Sequence, residues 1–198
     1  MDIVARVKGI ITKPKDEWVK IKEEPSNITT LFTSYAVILA AIPAVASFIG
    51  RAFIGYSVPF VGWIRMGVGR ALLYAIFSYI FSLIGVYIIG LIIYFLAPSF
   101  SSKKDNIQAM KLAVYSMTPA WVAGVLYIIP LLGFLVIIAS LYGLFLLYLG
   151  FSTPLMDTPK DKVLVYFIVT VVISIVVLVI LGVILGSIFA AGYVARTF

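Results

Sequence analysis

LAVYSMTPAWVAGVLYIIPLLGFLVIIASLYGLFLLYLGFSTPLM, residues 112–156, contains no Lys, Arg, Asp, Glu or His in 45 positions. It ends abruptly in a polar knot, Asp157-Thr158-Pro159-Lys160-Asp161-Lys162. A bilayer core about 30 Å thick takes roughly 20 apolar helical residues to cross. The stretch is too long for one helix and too apolar for a soluble core, but it has the length of two membrane spans. Pro130 sits near its middle, where the ring ends one helix and suits the first turn of the next. So short a turn predicts an antiparallel helical hairpin.

Outward from this hairpin, three further runs lack charge: 25–50, 71–102 and 163–195. Hydrophobic residues make up 63% of the chain and charged residues 12%, about half the charged share of a soluble domain. A transmembrane barrel would alternate apolar and polar residues with period two, and no such alternation occurs. The expected fold is an all-α membrane protein with five transmembrane helices, over about 30–50, 70–97, 107–127, 131–151 and 162–193, preceded by an N-terminal amphipathic interfacial segment, 1–24.

That first segment carries 11 charges and no short apolar core with a small-residue cleavage site, so no signal peptide is expected. Ile3, Val7, Ile10 and Ile11 recur at helical spacing, with Arg6 and Lys13 among the polar positions. Pro14 restarts the helix, and Trp18 and Ile21 follow among Lys and Glu. The pattern predicts two short amphipathic helices at headgroup level with Trp18 as an anchor; a solvated charged tail is the bland alternative.

In the first span Ala36, Ala40 and Ala44 recur every four residues, and Gly182, Gly186 and Ala190 do so in the fifth. Such smooth faces suit close helix contact, within the chain or with a protein partner or second copy. Pro43 predicts a kink. Residues 51–69 read as an interfacial loop rich in Gly and aromatics, including Tyr56, Pro59, Phe60 and Trp63. Eleven of the 15 Lys and Arg fall in segments on the N-terminal side of the membrane and four on the other. The bias predicts a cytoplasmic N-terminus and an extracytoplasmic C-terminus in a cell (inner) membrane. The net charge of +7 then belongs to loops beside anionic headgroups rather than to a nucleic-acid surface.

Cysteine and histidine are absent, which removes disulfides, the commonest metal ligand and the commonest general base. No His-Glu-x-x-His, Gly-x-Ser-x-Gly or Walker-type loop is present. No catalytic residue, cofactor or metal is expected. Neutral polar groups remain at membrane depth. Pro119 leaves the carbonyl of Tyr115 without its helical donor, and Ser116 and Thr118 stand beside it. Two readings stand: a kinked helix whose hydroxyls satisfy their own backbone, or a small polar cavity for a solute or lipid headgroup. Ser140, Tyr142 and Tyr148 line the fourth span similarly. Asp157, Pro159, Lys160, Asp161 and Lys162, with Trp18, form a candidate cytoplasmic contact with a partner; solvated loop charges are the alternative.

Val114-Tyr115-Ser116-Met117-Thr118-Pro119 resembles the Tyr-Ser-x-x-Pro motif in the third span of Yip1-domain membrane proteins. Ile129-Pro130-Leu131-Leu132-Gly133, Leu141-Tyr142-Gly143, Leu147-Tyr148-Leu149-Gly150, Pro154-Leu155-Met156 and Pro159-Lys160-Asp161-Lys162 with Tyr166 follow in the order and spacing of the bacterial branch. The acidic Asp-Leu-x-Gly-Pro element of eukaryotic members is missing before the first span. The resemblance implies five spans with a cytoplasmic N-terminus. It also implies a non-enzymatic protein that organises membranes by binding proteins or lipids; eukaryotic relatives act in vesicle traffic. A transporter or channel with a neutral polar cavity near Tyr115–Pro119 is the alternative.

Overall fold

The structure, a computed structural model, describes residues 2–58, 62–152 and 155–194, with the side chains of 58 and 190–194 left aside. The expected positions Pro59, Phe60 and Pro154 and the side chain of Ala190 lie outside the described residues. Five helical spans are present: Ile28–Ile54, Val68–Phe100, Asn106–Ile128, Pro130–Ser152 and Lys160–Phe189. They are preceded by α1 (Ile3–Thr12) and α2 (Pro14–Glu23). The Asp2 side chain accepts from Val4 N and Ala5 N and starts α1. Pro14 opens α2, whose first turn carries Asp16 and Glu17 and whose last carries Lys20 and Lys22; both sets complement the helix dipole.

Local chemistry sets the interruptions. The first span contains two wide, π-helical turns, Phe32–Ala36 and Gly50–Ile54, on either side of Pro43. The stretch after it, expected as a plain loop, forms an antiparallel hairpin: β1 (Tyr56–Val58) pairs with β2 (Gly62–Ile64), Ser57 opposite Trp63. Asp105 caps the third span by accepting from Ile107 N and Gln108 N. The expected kink at Pro119 is a full break: one helix closes at Ser116 and the next opens at Thr118, with Pro119 in its first turn. Tight 3-10 turns then lead through Pro130 into the fourth span.

The third span is the centre of the bundle, 67% buried along its most apolar window, against 11% for the fifth. It packs against the first, second and fourth spans; the fifth packs on the second and fourth. Ile137, Ile138 and Leu141 of the fourth span and Val172, Val179 and Val183 of the fifth are exposed, the surface a bilayer covers. Glycines let the backbones meet. A Cβ at Gly143 would stand 2.7 Å from the Ser116 carbonyl, and one at Gly150 would collide with Leu112.

The two small-residue faces part company. Ala36 and Ala40 are buried in the chain's own core, so that face is used up inside the protomer, with Ala44 half-buried beside it. Gly182 and Gly186 are exposed and have open space in front of them.

Candidate functional site

Two arrangements concentrate polar groups, one at each end of the bundle. The first is built by α1 and α2, which fold back on each other. The apolar stripe of α1 passes through Ile3, Val7 and Ile10, and Arg6 lies within it. That of α2 passes through Trp18 and Ile21, and Glu17 lies within it. When the stripes close against the third and fourth spans, both charges go in with them. Ile10, Trp18 and Ile21 are fully buried, and Arg6 and Glu17 nearly so. Arg6 Nη1 donates to Glu17 Oε1 at 2.5 Å, and Nη2 donates to the Glu24 carboxylate. The guanidinium lies 5.6 Å from the Tyr115 ring centre. A buried pair of this kind offsets the desolvation of each partner only while both are present.

The spans also cap the ends of α1 and α2. Lys111 Nζ donates to the carbonyls of Ile21 and Glu24 at 2.6 and 2.7 Å, and Gln108 Nε2 to that of Lys22 at 3.2 Å. Tyr142 donates its hydroxyl to the Ile11 carbonyl at 2.7 Å. Orphan carbonyls at helix ends, which water satisfies on a free helix, are here satisfied by the bundle. The pair is therefore a docked module, and Trp18 meets the Tyr115 ring edge-on at 6.4 Å with no exposure to lipid or water.

The motif residues of the third span face this module or the interior beside it. The Tyr35 and Tyr115 rings meet edge to face at 4.8 Å, and the Tyr35 hydroxyl shares a 2.8 Å hydrogen bond with Thr118 Oγ1. Ser116, Thr118 and Pro119 are buried. Tyr148 lies on the outer surface, against Phe167. In the loop before the fifth span, Asp157 pairs with Lys22 at 3.2 Å. Pro159 caps the span through its carbonyl, Lys162 donates to Ser101 Oγ at 2.7 Å, and Lys160 and Asp161 point outward.

The second arrangement is a cavity of about 520 Å³ at the opposite end. The first span contributes Pro43, Ala44, Ser47 and Arg51; the second, Tyr74, Ser78, Tyr79 and Ser82; the third, Met117, Trp121 and Tyr127; the fourth, Val136 and Ser140. Its volume falls in the range of small-molecule sites, roughly 300–1,000 Å³. Of the residues expected to form a polar cavity, Ser140 lines it, whereas Tyr115, Ser116, Thr118, Pro119, Tyr142 and Tyr148 do not; Ala40 and Ala44 of the small-residue face line it as well. The Pro119 break separates the two arrangements, with Tyr115 on the module side and Met117 and Trp121 on the cavity side.

Among the described residues, Arg51 is the one charged side chain that lines the cavity. A cationic side chain at bilayer depth costs about 2.5–3.5 kcal/mol on insertion scales. Here the guanidinium stacks over Tyr74 at 4.2 Å and Tyr56 at 4.9 Å from the ring centres, a contact that recovers part of that cost. Among the described residues, no cluster of acidic side chains suits a metal ion.

Sequence reasoning passed over Arg6, Glu17 and Lys111. A signal for two of them was present: opposite charges standing in phase with the apolar stripes of adjacent amphipathic helices. From the sequence Arg51 reads only as a loop charge, because the π-helical turn that carries it has no signature in composition.

The family model described as the Yip1 domain matches residues 8–193. "Inner membrane protein YohC" of Escherichia coli strain K12 is 27% identical over 150 residues, covering 74% of this chain and 77% of that protein. Its counterpart in E. coli O6:H1 strain CFT073 matches to the same extent. No solved structure matches.

Proposed function

The chain belongs to the Yip1 domain family of multi-pass membrane proteins, and on that premise we propose that it is a non-enzymatic membrane organiser. Its docked α1–α2 module and adjoining loops bind a protein partner at the cytoplasmic surface. The observation that carries this reading is the Arg6–Glu17–Glu24 cluster with its Lys111 cap. It spends two buried charges and a lysine to hold a charged, ordered surface at one end of the bundle. That surface includes Lys20, Lys160 and Asp161, which are exposed, and the Lys22–Asp157 pair that ties the module to the loop before the fifth span.

The test is quantitative co-purification from native membranes of the full chain and of Arg6→Ala, which undocks the module. The reading expects a partner set that the wild type retains and Arg6→Ala loses at equal expression. Identical sets, or none with either chain, overturn it. Gly182 and Gly186 supply the remaining smooth face for a second copy or partner helix.

The cavity favours a second reading, passage of a small solute or lipid. Proteoliposomes that show no flux above protein-free vesicles remove it.

A further inference from the structure

Every carboxylate side chain of the protein lies at one end of the bundle. All 8 Asp and Glu fall in 2–24, 105 and 157–161, within the α1–α2 module or the turns beside it. The opposite end carries Arg51, Arg65 and Arg70 and not one acidic side chain. Arg70 donates to the Phe189 carbonyl and Arg65 is exposed. Arg51 stands at the cavity between two aromatic faces, and among the described residues its side chain makes one hydrogen bond, a long one of 3.4 Å to the Tyr74 hydroxyl. Rings and hydroxyls stabilise a cation without neutralising it, and no described residue at this end supplies an anion to Arg51, so the guanidinium is open to a bound one.

Deeper in the cavity the chemistry changes. Ser47, Ser78 and Ser140 each donate to a carbonyl of their own helix, at 2.9, 2.9 and 2.8 Å. Those protons are taken, as is that of Tyr79, which donates to the Val37 carbonyl at 3.0 Å, and Ser82 accepts from Trp121 Nε1 at 3.4 Å; Pro43, Ala44, Met117 and Val136 form an apolar part of the wall. A polar solute would find few free donors, whereas a hydrocarbon chain loses nothing. Spans two and four, which supply two of the walls, do not pack closely on one another, and the cavity is only partly enclosed. One cation with an apolar recess behind it, reachable from the side, matches an anionic amphiphile.

We propose that this cavity is a phospholipid site, in which Arg51 binds the phosphate and an acyl chain runs inward along Ala44 and Val136. A guanidinium engages phosphate through two parallel N–H donors, and the tail supplies the apolar burial that a free phosphate lacks. The site is separate from the α1–α2 end, so it stands or falls independently of partner binding there.

Native mass spectrometry of the full chain in neutral detergent tests it, with phosphatidylglycerol, diacylglycerol and glycerol phosphate as probes. The wild type is expected to keep one phosphatidylglycerol under activation that strips loosely held lipid, and to keep neither of the other two. Arg51→Gln raises the phosphatidylglycerol concentration needed by about ten-fold or more, the worth of a charge-assisted bond. Ala44→Trp fills the recess and does the same with Arg51 intact, which carries the test if Arg51→Gln does not fold. Equal retention by the wild type and both variants overturns the site. Diacylglycerol held as tightly as phosphatidylglycerol overturns the role of the phosphate. Glycerol phosphate held as tightly overturns the lipid in favour of a free anion.

Discussion

Arg6 and Glu17 show how a single charge is tolerated in an apolar interface. Each is held by the other, and Arg6 also by Glu24 and the face of Tyr115. Arg6→Met leaves the buried Glu17 with only the exposed Lys20 at 3.4 Å as a cation, a loss that approaches the cost of breaking a buried pair, about 3–5 kcal/mol. Thermal unfolding in detergent should register that loss, and the double variant Arg6→Met/Glu17→Met should recover most of it. A double variant no more stable than Arg6→Met would mean that the pair is incidental. Gly150 is a second single-residue control. Its missing Cβ leaves room for Leu112 and sits 3.3 Å from the Trp18 ring, so Gly150→Val overpacks the seat and destabilises by about 1–3 kcal/mol, with Trp18 fluorescence shifting red as the ring leaves its pocket.

At the scale of the element, α2 depends on a lysine from the third span. Lys111 and Gln108 satisfy its last carbonyls. Lys111→Met removes two charge-assisted bonds worth about 1.5–3 kcal/mol together with the cap. Hydrogen exchange over 14–24 should then speed up by about ten- to a hundred-fold while the second and fifth spans keep their protection. Unchanged exchange in α2 would show that the cap is not what holds it. The sequence announced this element without its surroundings. Periodicity marks an apolar stripe, but a stripe reads the same whether lipid headgroups or a protein surface cover it, and here the third and fourth spans cover it. The Ala36–Ala40 face has the same ambiguity: small side chains signal close approach, and only the packed chain shows that the approach is to its own core.

At the scale of the whole molecule, charge is sorted end to end. All acidic residues and eleven of the 15 basic ones lie toward the α1–α2 end, and from the positive-inside bias we propose that this end faces the cytoplasm. The chain has no cysteine, so single introduced thiols report topology without background. In intact cells an impermeant maleimide should label Ser57→Cys in the hairpin and spare Lys15→Cys until the membrane is opened; the reverse pattern would invert the orientation.

The residues by themselves determined the membrane class, the five spans, a bend at Pro119 that the structure carries to a full break, the turn at Pro130 and the family motif. All of these are written in local hydrophobicity and in what proline does to a backbone. They also carried the asymmetry of charge, because that needs only the order of the spans. What only the tertiary structure decided was which faces meet. It docked the amphipathic N-terminal segment on the bundle, buried Arg6 with Glu17, and placed the cavity on the far side of Pro119 from Tyr115, between spans that are distant in the chain. Local sequence specifies that a helix has an apolar side. What lies against that side depends on contacts between residues up to 135 positions apart, as in the Lys22–Asp157 pair, and those exist only once the bundle has closed.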